Sequence, residues 1–295
     1  MTFHTSKKAY YAAFIGPAVF IYACIIIFPV LYSLGLSFFN WNGYEKMEFV
    51  KLANYVRMFK DDVFLLGLRN NLLIVAVSIF GQLPLGFILA YILYRKMVKA
   101  QSFFESMIFL PITISAIVVA ILWAQIFAPT GLYTTLIQRL TDNPRYIMAV
   151  AQDKQLAILP ILFVVLWMYT GMYMVIFLAS MQKISPSVIE SAIIDGASEF
   201  QILMKIVAPS MSNILFTTAV FAIAGSLKSF DLIFAMTSGG PAHYTEVIAI
   251  YMYTNTFKYY NYGFGSAVSI VIVALSMGLI TIAQKVYGFF EKKYE

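Results

Sequence analysis

Apolar runs separated by polar segments recur along the whole chain and have the length of membrane-crossing helices. A helix rises about 1.5 Å per residue, so about 20 apolar residues cross a hydrocarbon layer of roughly 30 Å. Six such spans, numbered spans 1 to 6, are predicted at 11–39, 71–94, 103–127, 156–181, 210–237 and 264–287. The pattern therefore predicts an all-α polytopic membrane protein with six transmembrane helices.

Span 1 has a competing interpretation as a secretory signal peptide, because Lys7 and Lys8 precede its apolar run. A signal peptide has a short apolar core and a cleavage site with small residues. The run here is longer and is followed by no such site, so we expect it to be retained as a membrane helix.

Composition supports a membrane protein and excludes several other classes. Hydrophobic residues make up 61% of the 295 residues and the mean hydropathy is +0.81, which is too apolar for one water-soluble core. With a single cysteine, Cys24, and two histidines, His4 and His243, the sequence predicts neither a disulfide framework nor a metal centre. The net charge of +6 is spread along the chain without a dense aromatic-rich basic patch, so nucleic acid is not an expected partner.

Nucleotide hydrolysis is not expected in this chain. The phosphate-binding loop of a nucleotide motor requires Gly-Lys, and none of the 16 glycines is followed by lysine. The energy for any transport work would therefore come from another chain.

Basic residues next to the span ends indicate the orientation. A raw count hardly decides it, since ten Lys or Arg fall on the proposed inner segments and nine on the outer ones. Clusters at Lys7–Lys8, Arg95–Lys99 and Lys292–Lys293 favour both termini in the cytoplasm. The polar stretches 40–69 and 132–155 are then outer loops.

One long polar interruption, residues 181–209 and called the polar segment below, has the signals of two short helices. Ser185 is predicted to cap a helix that begins with Pro186, and Ser187–Glu190 has the pattern of a capping box. Gly196 is predicted to end that helix in a left-handed conformation.

A second capping box, Ser198–Gln201, predicts that a new helix begins after the turn. The first helix, Pro186 to Ile194, would be about 13 Å long. That length is too short to cross a membrane and suits a groove on another protein.

At these residues the sequence resembles the membrane-spanning subunits of ATP-binding-cassette (ABC) importers. Their cytoplasmic loop carries Glu-Ala-Ala, three residues and Gly, followed by a hydrophobic residue and Pro. The corresponding residues here are Glu190-Ser191-Ala192, Gly196 and Ile206-Val207-Ala208-Pro209. Ser191 replaces the first Ala of the pattern, and Ala208 replaces the usual Leu.

The resemblance extends from Trp167 through Phe177-Leu178-Ala179 to Phe230-Asp231 and Thr237–Pro241. This pattern is similar to that of the carbohydrate-uptake branch, specifically the maltose-type first permease. The similarity covers the last two thirds of the chain closely and the first third more loosely.

The resemblance implies the type I importer permease fold and a division of the chain into three parts. These are an N-terminal tail, helix and outer loop at 1–69, a permease domain at 70–287 and a cytoplasmic tail at 288–295. The polar segment would act as a coupling loop on a separate ATPase. Glu190 would pair with a basic residue there, Gly196 would permit the turn, and Ile189, Ala192 and Ile193 would fill a socket. The alternative is that Glu190 only caps its own helix and Gly196 only ends it.

Substrate contacts are also implied by the resemblance, which places Tyr169, Met172, Ser226 and Ser229 toward a sugar cavity. These residues could instead serve helix packing. Asp231 joins the candidates because an ionisable residue within a span is a functional candidate by default. Lys228 and Asp231 are three residues apart, so they are predicted to face each other on one side of a helix, where they could also be a structural ion pair.

These observations predict a non-catalytic, multi-pass permease subunit in a prokaryotic plasma membrane. It would bind no cofactor, since ATP and Mg would be bound by two partner ATPase subunits. Further expected partners are a homologous permease, an extracytoplasmic binding protein, membrane lipid and a carbohydrate, with an oligosaccharide favoured. The alternatives are an ABC permease for another solute and, more remotely, an intramembrane enzyme acting on lipid-linked sugars.

Overall fold

A computed structural model describes residues 7–145 and 156–294 of the chain. Five helices of the described residues are long and apolar enough to cross a membrane, and a bent helix pair makes a sixth candidate. The five are Phe14–Leu36, Asp62–Tyr94, Leu159–Met181, Ser212–Thr237 and Tyr262–Phe289, and the pair is Gln101–Thr113 with Ala116–Ile126. The prediction of an all-α membrane protein with six spans is confirmed, with span 3 in two pieces.

One compact unit contains the chain up to Asp61 together with Met252–Val273. Its helices and strands before Asp61 are Lys7–Tyr22, the π-helix Ala23–Ile27, Phe28–Leu36, the antiparallel strands Phe39–Asn40 and Glu48–Phe49, and the helix Ala53–Phe59. The buried Asn54 side chain donates to the carbonyls of Ser37 and Phe39, at 2.8 and 2.9 Å. The predicted outer loop at 40–69 is therefore a folded structure.

The other unit contains Asp62–Tyr251 and the chain from Ala274 onward. Its elements are Asp62–Val77, the π-helix Ser78–Gln82, Leu83–Tyr94, Gln101–Thr113, Ala116–Ile126, Leu132–Leu140, Leu159–Met181, Pro186–Ile194, Glu199–Ile202, the π-helix Leu203–Val207, Ala208–Ser210, Ser212–Leu227 and Asp231–Thr237. The remaining elements of the chain are Ile248–Tyr253, the π-helix Thr254–Lys258 and the long helix Tyr262–Tyr294.

One predicted boundary is wrong. Span 2 begins at Asp62 and includes the residues up to Arg69 that were predicted to be loop. Its first turn carries Asp62, whose negative charge complements the helix dipole. Span 6 continues to Tyr294, so most of the predicted tail at 288–295 is helical. Residues 146–155 of the predicted outer loop 132–155 lie outside the described residues, and the helix Leu132–Leu140 precedes them.

Three prolines each follow a π-helical turn by two residues. Pro29, Pro84 and Pro209 come after the turns Ala23–Ile27, Ser78–Gln82 and Leu203–Val207. Proline lacks the N–H that would bond to residue i−4, and its ring clashes with that carbonyl. A wider turn before the proline relieves the clash, and the helix continues.

Span 4 is the most buried membrane helix of the described chain. It packs along Leu83–Tyr94 and along the first half of span 3, and Gly171 makes the second approach possible. A Cβ atom at Gly171 would overlap the backbone carbonyl of Ile108. The backbones therefore approach each other directly, as small residues permit between membrane helices.

We predict that Gly171→Ala destabilises the chain by about 1–3 kcal/mol, because the added methyl group meets backbone that can move only with its helix. Thermal unfolding in detergent, followed by circular dichroism, measures the effect. Gly278→Ala is the matched control, since a Cβ at Gly278 meets nothing within 4 Å. Equal midpoints for the two variants would contradict the close approach.

Candidate functional site

A cavity of about 240 Å³ lies among span 2, span 4, span 5 and the start of the second half of span 3. Its lining combines hydroxyl, amide and charged groups with aromatic rings. All five predicted substrate residues line it, namely Tyr169, Met172, Ser226, Ser229 and Asp231. The structure thus brings these residues together, while their contact with a sugar stays a prediction.

Span 5 is interrupted at this cavity. The helix Ser212–Leu227 ends with Lys228 as its C-cap, and Phe230 has φ −132° and ψ −62°. A new helix then begins at Asp231. The prediction that Lys228 and Asp231 face each other on one helix is wrong, because the residues between them leave the helical conformation. Within the described chain no ion pair joins them, and both line the cavity.

Span 3 is interrupted beside the same cavity. We expected one continuous span at 103–127, but Ile114 and Ser115 are extended and the two halves meet at 95°. Ala116, the first residue of the second half, lines the cavity. Two of the helices around this cavity are therefore broken where they reach it.

Polar side chains of span 2 satisfy backbone and side-chain groups near the break in span 5. Asn71 Nδ2 donates to the Ser226 carbonyl at 2.9 Å, and the Ser78 and Ser226 hydroxyls are 3.0 Å apart. Gln82 Nε2 donates to the Val165 carbonyl of span 4 at 2.7 Å. All three side chains are buried, and these bonds satisfy their amide and hydroxyl groups inside an apolar layer.

Sequence reasoning missed Asn71, Ser78 and Gln82 as a set. Their spacings of seven and four residues place them on one face of a helix, and this signal was present in the sequence. Each of the three residues alone is only a polar position in an apolar run, so the signal lies in the spacing of all three.

The same face of span 2 also holds the segment that follows span 5. Asn71 Oδ1 accepts from the Ile248 N–H at 2.8 Å, and Asn70 Nδ2 donates to the carbonyls of Tyr244 and Glu246. The Glu246 side chain is itself buried, with its Oε2 2.8 Å from His243 Nδ1. The segment after span 5 is thereby fixed to span 2 by side-chain hydrogen bonds.

The polar segment adopts the predicted helix, turn and helix. The first helix is Pro186–Ile194, and Gly196 follows it with φ +79°. The Ala197 N–H donates to the Ala192 carbonyl at 2.9 Å and the Gly196 N–H to the Ile193 carbonyl at 3.0 Å, which is the Schellman arrangement. The predicted helix end at Gly196 is confirmed.

Of the three predicted caps, only the capping box at Ser198–Gln201 is formed. Gln201 N–H donates to Ser198 Oγ, and Ser198 N–H donates to the Gln201 side chain, so this capping box is confirmed. The Ser185 hydroxyl lies 2.8 Å from the Ser187 hydroxyl and caps no backbone N–H. In the described chain Glu190 makes no capping bond either, so the alternative that it only caps its own helix is wrong.

The apolar face predicted for this helix is divided between the interior and the surface. Ile189 and Ala192 are 3% and 8% exposed and pack in a core cluster with span 2 and span 4 residues. The prediction that they fill a socket on a partner is wrong, because the chain's own spans cover them. Ile193 is exposed, and Ile194, which was not predicted, is 85% exposed. Ala192 thus serves to seat the helix, and Glu190 and Ile193 remain on its open side.

A charged contact joins the polar segment to the end of span 2. Arg95 donates from Nε and Nη2 to the two carboxylate oxygens of Glu199, at 3.0 and 2.8 Å. The Tyr91 hydroxyl donates to the same carboxylate and to the Glu199 carbonyl. The bonds from Arg95, and then from Tyr91, hold the pKa of Glu199 below its ordinary 4.5, and the bond to Glu199 raises the pKa of Arg95.

The lowered pKa sets the pH range of this contact. Glu199 contributes stability above its ordinary pKa, and that contribution is lost only as the pH falls through the lowered value. Both groups therefore stay charged at neutral pH. The sequence showed Arg95 only as part of a basic cluster and Glu199 only inside a capping box, so their pairing was not predicted.

A bundle of apolar spans thus surrounds a polar cavity, and one side of the helix Pro186–Ile194 is exposed. Residues 82–295 match the family of binding-protein-dependent transport system inner membrane components. The chain belongs to this family, and it is a multi-pass protein of the plasma membrane.

Individual relatives and a solved structure agree with this assignment. A probable ABC transporter permease of Pyrococcus horikoshii is 33% identical and covers 96% of both chains. The lactose transport system permease of Rhizobium radiobacter is 29% identical over 93% of this chain and 94% of its own. A bacterial alginate ABC transporter, solved with an alginate pentasaccharide-bound periplasmic protein, matches 94% of this chain and 93% of its own with TM-score 0.78 and 19% identity, which confirms the fold.

We predict that Asn71→Ala destabilises the chain by about 1–3 kcal/mol, because the buried Ser226 carbonyl and Ile248 N–H lose a partner. The midpoint of thermal unfolding in detergent measures this loss. Asn213→Ala is the control, because this amide is exposed on span 5 and an exposed substitution should change stability by less than about 0.5 kcal/mol. A wild-type midpoint for Asn71→Ala would show that the bonds do not support the broken span.

Proposed function

We propose that this chain is the permease subunit of an ATP-driven importer that takes up an oligosaccharide. The observation that carries the proposal is the cavity at the two broken spans, where polar and aromatic groups converge inside an otherwise apolar bundle. Interrupted helices around a polar cavity near mid-span are typical of substrate sites in transporters. The relatives that transport lactose and alginate support a carbohydrate as the substrate.

The cavity chemistry suits a sugar. Ser229 and Asp231 offer a hydroxyl and a carboxylate to sugar hydroxyl groups, while Tyr169 and Phe230 offer aromatic surface to the apolar faces of sugar rings. Binding sites combine such apolar walls with a few polar groups that fix orientation.

The small volume of the cavity supports the expectation that a second permease completes the substrate site. About 240 Å³ is below the roughly 300–1,000 Å³ of small-molecule sites, and an oligosaccharide needs more than a single small ligand. This chain would therefore supply part of a shared cavity, which a homologous permease completes. An extracytoplasmic binding protein would deliver the sugar, as the periplasmic protein in the alginate transporter complex suggests.

The polar segment is the proposed docking point for the ATPase subunits, which would bind ATP and Mg. Ile194 and Phe200 are 85% and 71% exposed, and Glu190 and Ile193 are exposed beside them. Large apolar residues that flank a charge are typical of protein interfaces. The buried side of the same helix, with Ile189 and Ala192, would transmit a push to the spans.

We predict that Glu190→Ala and Gly196→Pro lower uptake while the chain still inserts in the membrane. Gly196 has φ +79° and its N–H is bonded; proline fixes φ near −65° and removes the N–H, so the turn is lost. ATP-dependent uptake and ATP hydrolysis are measured together in proteoliposomes, with the exposed Ser191→Ala as control. Unchanged uptake in both variants would count against a coupling role.

We predict that Ser229→Ala raises the apparent KM of sugar uptake about 2- to 10-fold, the effect of one lost hydrogen bond. Hydrolysis by the assembled ATPases should be retained. Thr217→Ala, which removes a half-buried hydroxyl of the same span outside the cavity lining, is the control. A panel of labelled neutral and acidic oligosaccharides identifies the substrate, and transport of a non-sugar solute with no uptake from the panel would overturn the carbohydrate assignment.

A further inference from the structure

The polar segment is connected covalently to span 4 at one end and to span 5 at the other, but span 2 has no covalent link to it. Span 2 nevertheless contributes Ser78 and Gln82 to the cavity lining. A movement of the polar segment that opens the cavity must also reach span 2. Apolar packing already joins the two in one core cluster. The directed polar contact between them is made by Arg95, which directly follows the last helical residue of span 2, with Glu199, which begins the second helix of the polar segment.

We propose that the Arg95–Glu199 pair is the joint through which movement of the polar segment is transmitted to span 2, and that both are positioning residues for transport. This inference rests on the coupling role proposed for the polar segment. The pair adds a directed contact to the apolar packing between the polar segment and span 2.

The geometry of the pair suits transmission because it fixes direction as well as distance. Arg95 uses two nitrogens on two carboxylate oxygens, and such a fork holds both groups in one orientation. Tyr91 contacts the same carboxylate and the Glu199 carbonyl. Tyr91 and Arg95 are four residues apart, so they lie on one face at the end of span 2, and Glu199 is held by two successive helical turns.

The surroundings of the pair are apolar on one side. Tyr91 is 4% exposed and Ile202, one turn after Glu199, is 1% exposed, and both belong to one core cluster. The second helix of the polar segment is therefore packed as well as bonded against its own chain. A displacement of this helix would pull on the end of span 2 rather than slide over it.

The pair is too exposed to be important for overall stability. The side chains of Arg95 and Glu199 are 20% and 48% exposed, and water and salt weaken an exposed ionic attraction. A purely structural role would be visible, if at all, in the unfolding temperature. A positioning role would be visible in the amount of sugar moved per ATP hydrolysed.

The test uses the complete importer in proteoliposomes, with its second permease, its ATPase subunits and its binding protein. Arg95→Gln and Glu199→Gln are each expected to lower sugar uptake per ATP about 3- to 10-fold, within the range for residues between coupled sites. The ATPase subunits should still co-purify, and the unfolding temperature should remain close to that of the original protein. Lys99→Gln is the matched control, because it removes an exposed positive charge from the same basic cluster.

Three further variants separate orientation from charge. The double variant Arg95→Gln with Glu199→Gln should lose no more than either single variant, since the two residues act through one contact. Arg95→Lys keeps the charge but lacks the fork, so it should be impaired while it folds normally. Tyr91→Phe removes only the hydroxyl and should give a smaller loss of uptake per ATP.

Several results would contradict the proposal that the Arg95–Glu199 pair transmits movement to span 2. They are unchanged uptake per ATP in both single variants, additive losses in the double variant, or a loss as large in Lys99→Gln. A large drop in unfolding temperature for Arg95→Lys and Tyr91→Phe would assign the pair a structural role instead. If Glu190→Ala uncouples transport and the Arg95 and Glu199 variants do not, only this inference fails; if Glu190→Ala and Gly196→Pro also have no effect, the coupling function itself fails.

Discussion

Backbone hydrogen bonding in an apolar surrounding is the constraint on which the rest of this structure depends. A helix crosses lipid because it satisfies its own N–H and C=O groups, and a broken helix leaves some of them without partners. Spans 3 and 5 are both broken beside the cavity. Span 2 compensates by carrying buried amides to the break, where Asn71 bonds to Ser226 and Ile248. Asn71 thus gives a buried partner both to the Ser226 carbonyl at the break in span 5 and to the Ile248 N–H of the segment that follows.

The first helix of the polar segment has one side buried against the spans and one side exposed. Its inner side, with Ile189 and Ala192, belongs to the core of the permease, and its outer side, with Glu190 and Ile194, is open. A helix held in this way cannot move without moving the spans beneath it, because the packed interior is stiff. The Arg95–Glu199 contact extends the same principle to a span that is distant in sequence. The polar cavity and the exposed side of the polar segment are thus separate regions that one core cluster connects.

The sequence predicted local features well where neighbouring residues control them. The start at Pro186, the end at Gly196 and the capping box at Ser198 depend on backbone geometry within a few residues, and all three are present. The family was also recognisable from the same short stretch. The Ser187–Glu190 box was wrong because the helix begins at Pro186 with Ser185 at the N-cap position, so Ser187 lies inside the helix. Its hydroxyl pairs with the Ser185 hydroxyl instead.

The sequence by itself determined the class of this protein, since the number, length and apolarity of its runs leave only a helical membrane bundle able to satisfy every backbone group. It also determined where the polar segment turns. Only the tertiary structure decided which side of each helix faces the interior, where spans 3 and 5 break, and which distant partners Asn71, Gln82 and Arg95 find. The physical reason is that burial and hydrogen bonding between helices depend on contacts between residues as much as 177 positions apart, which no local pattern encodes.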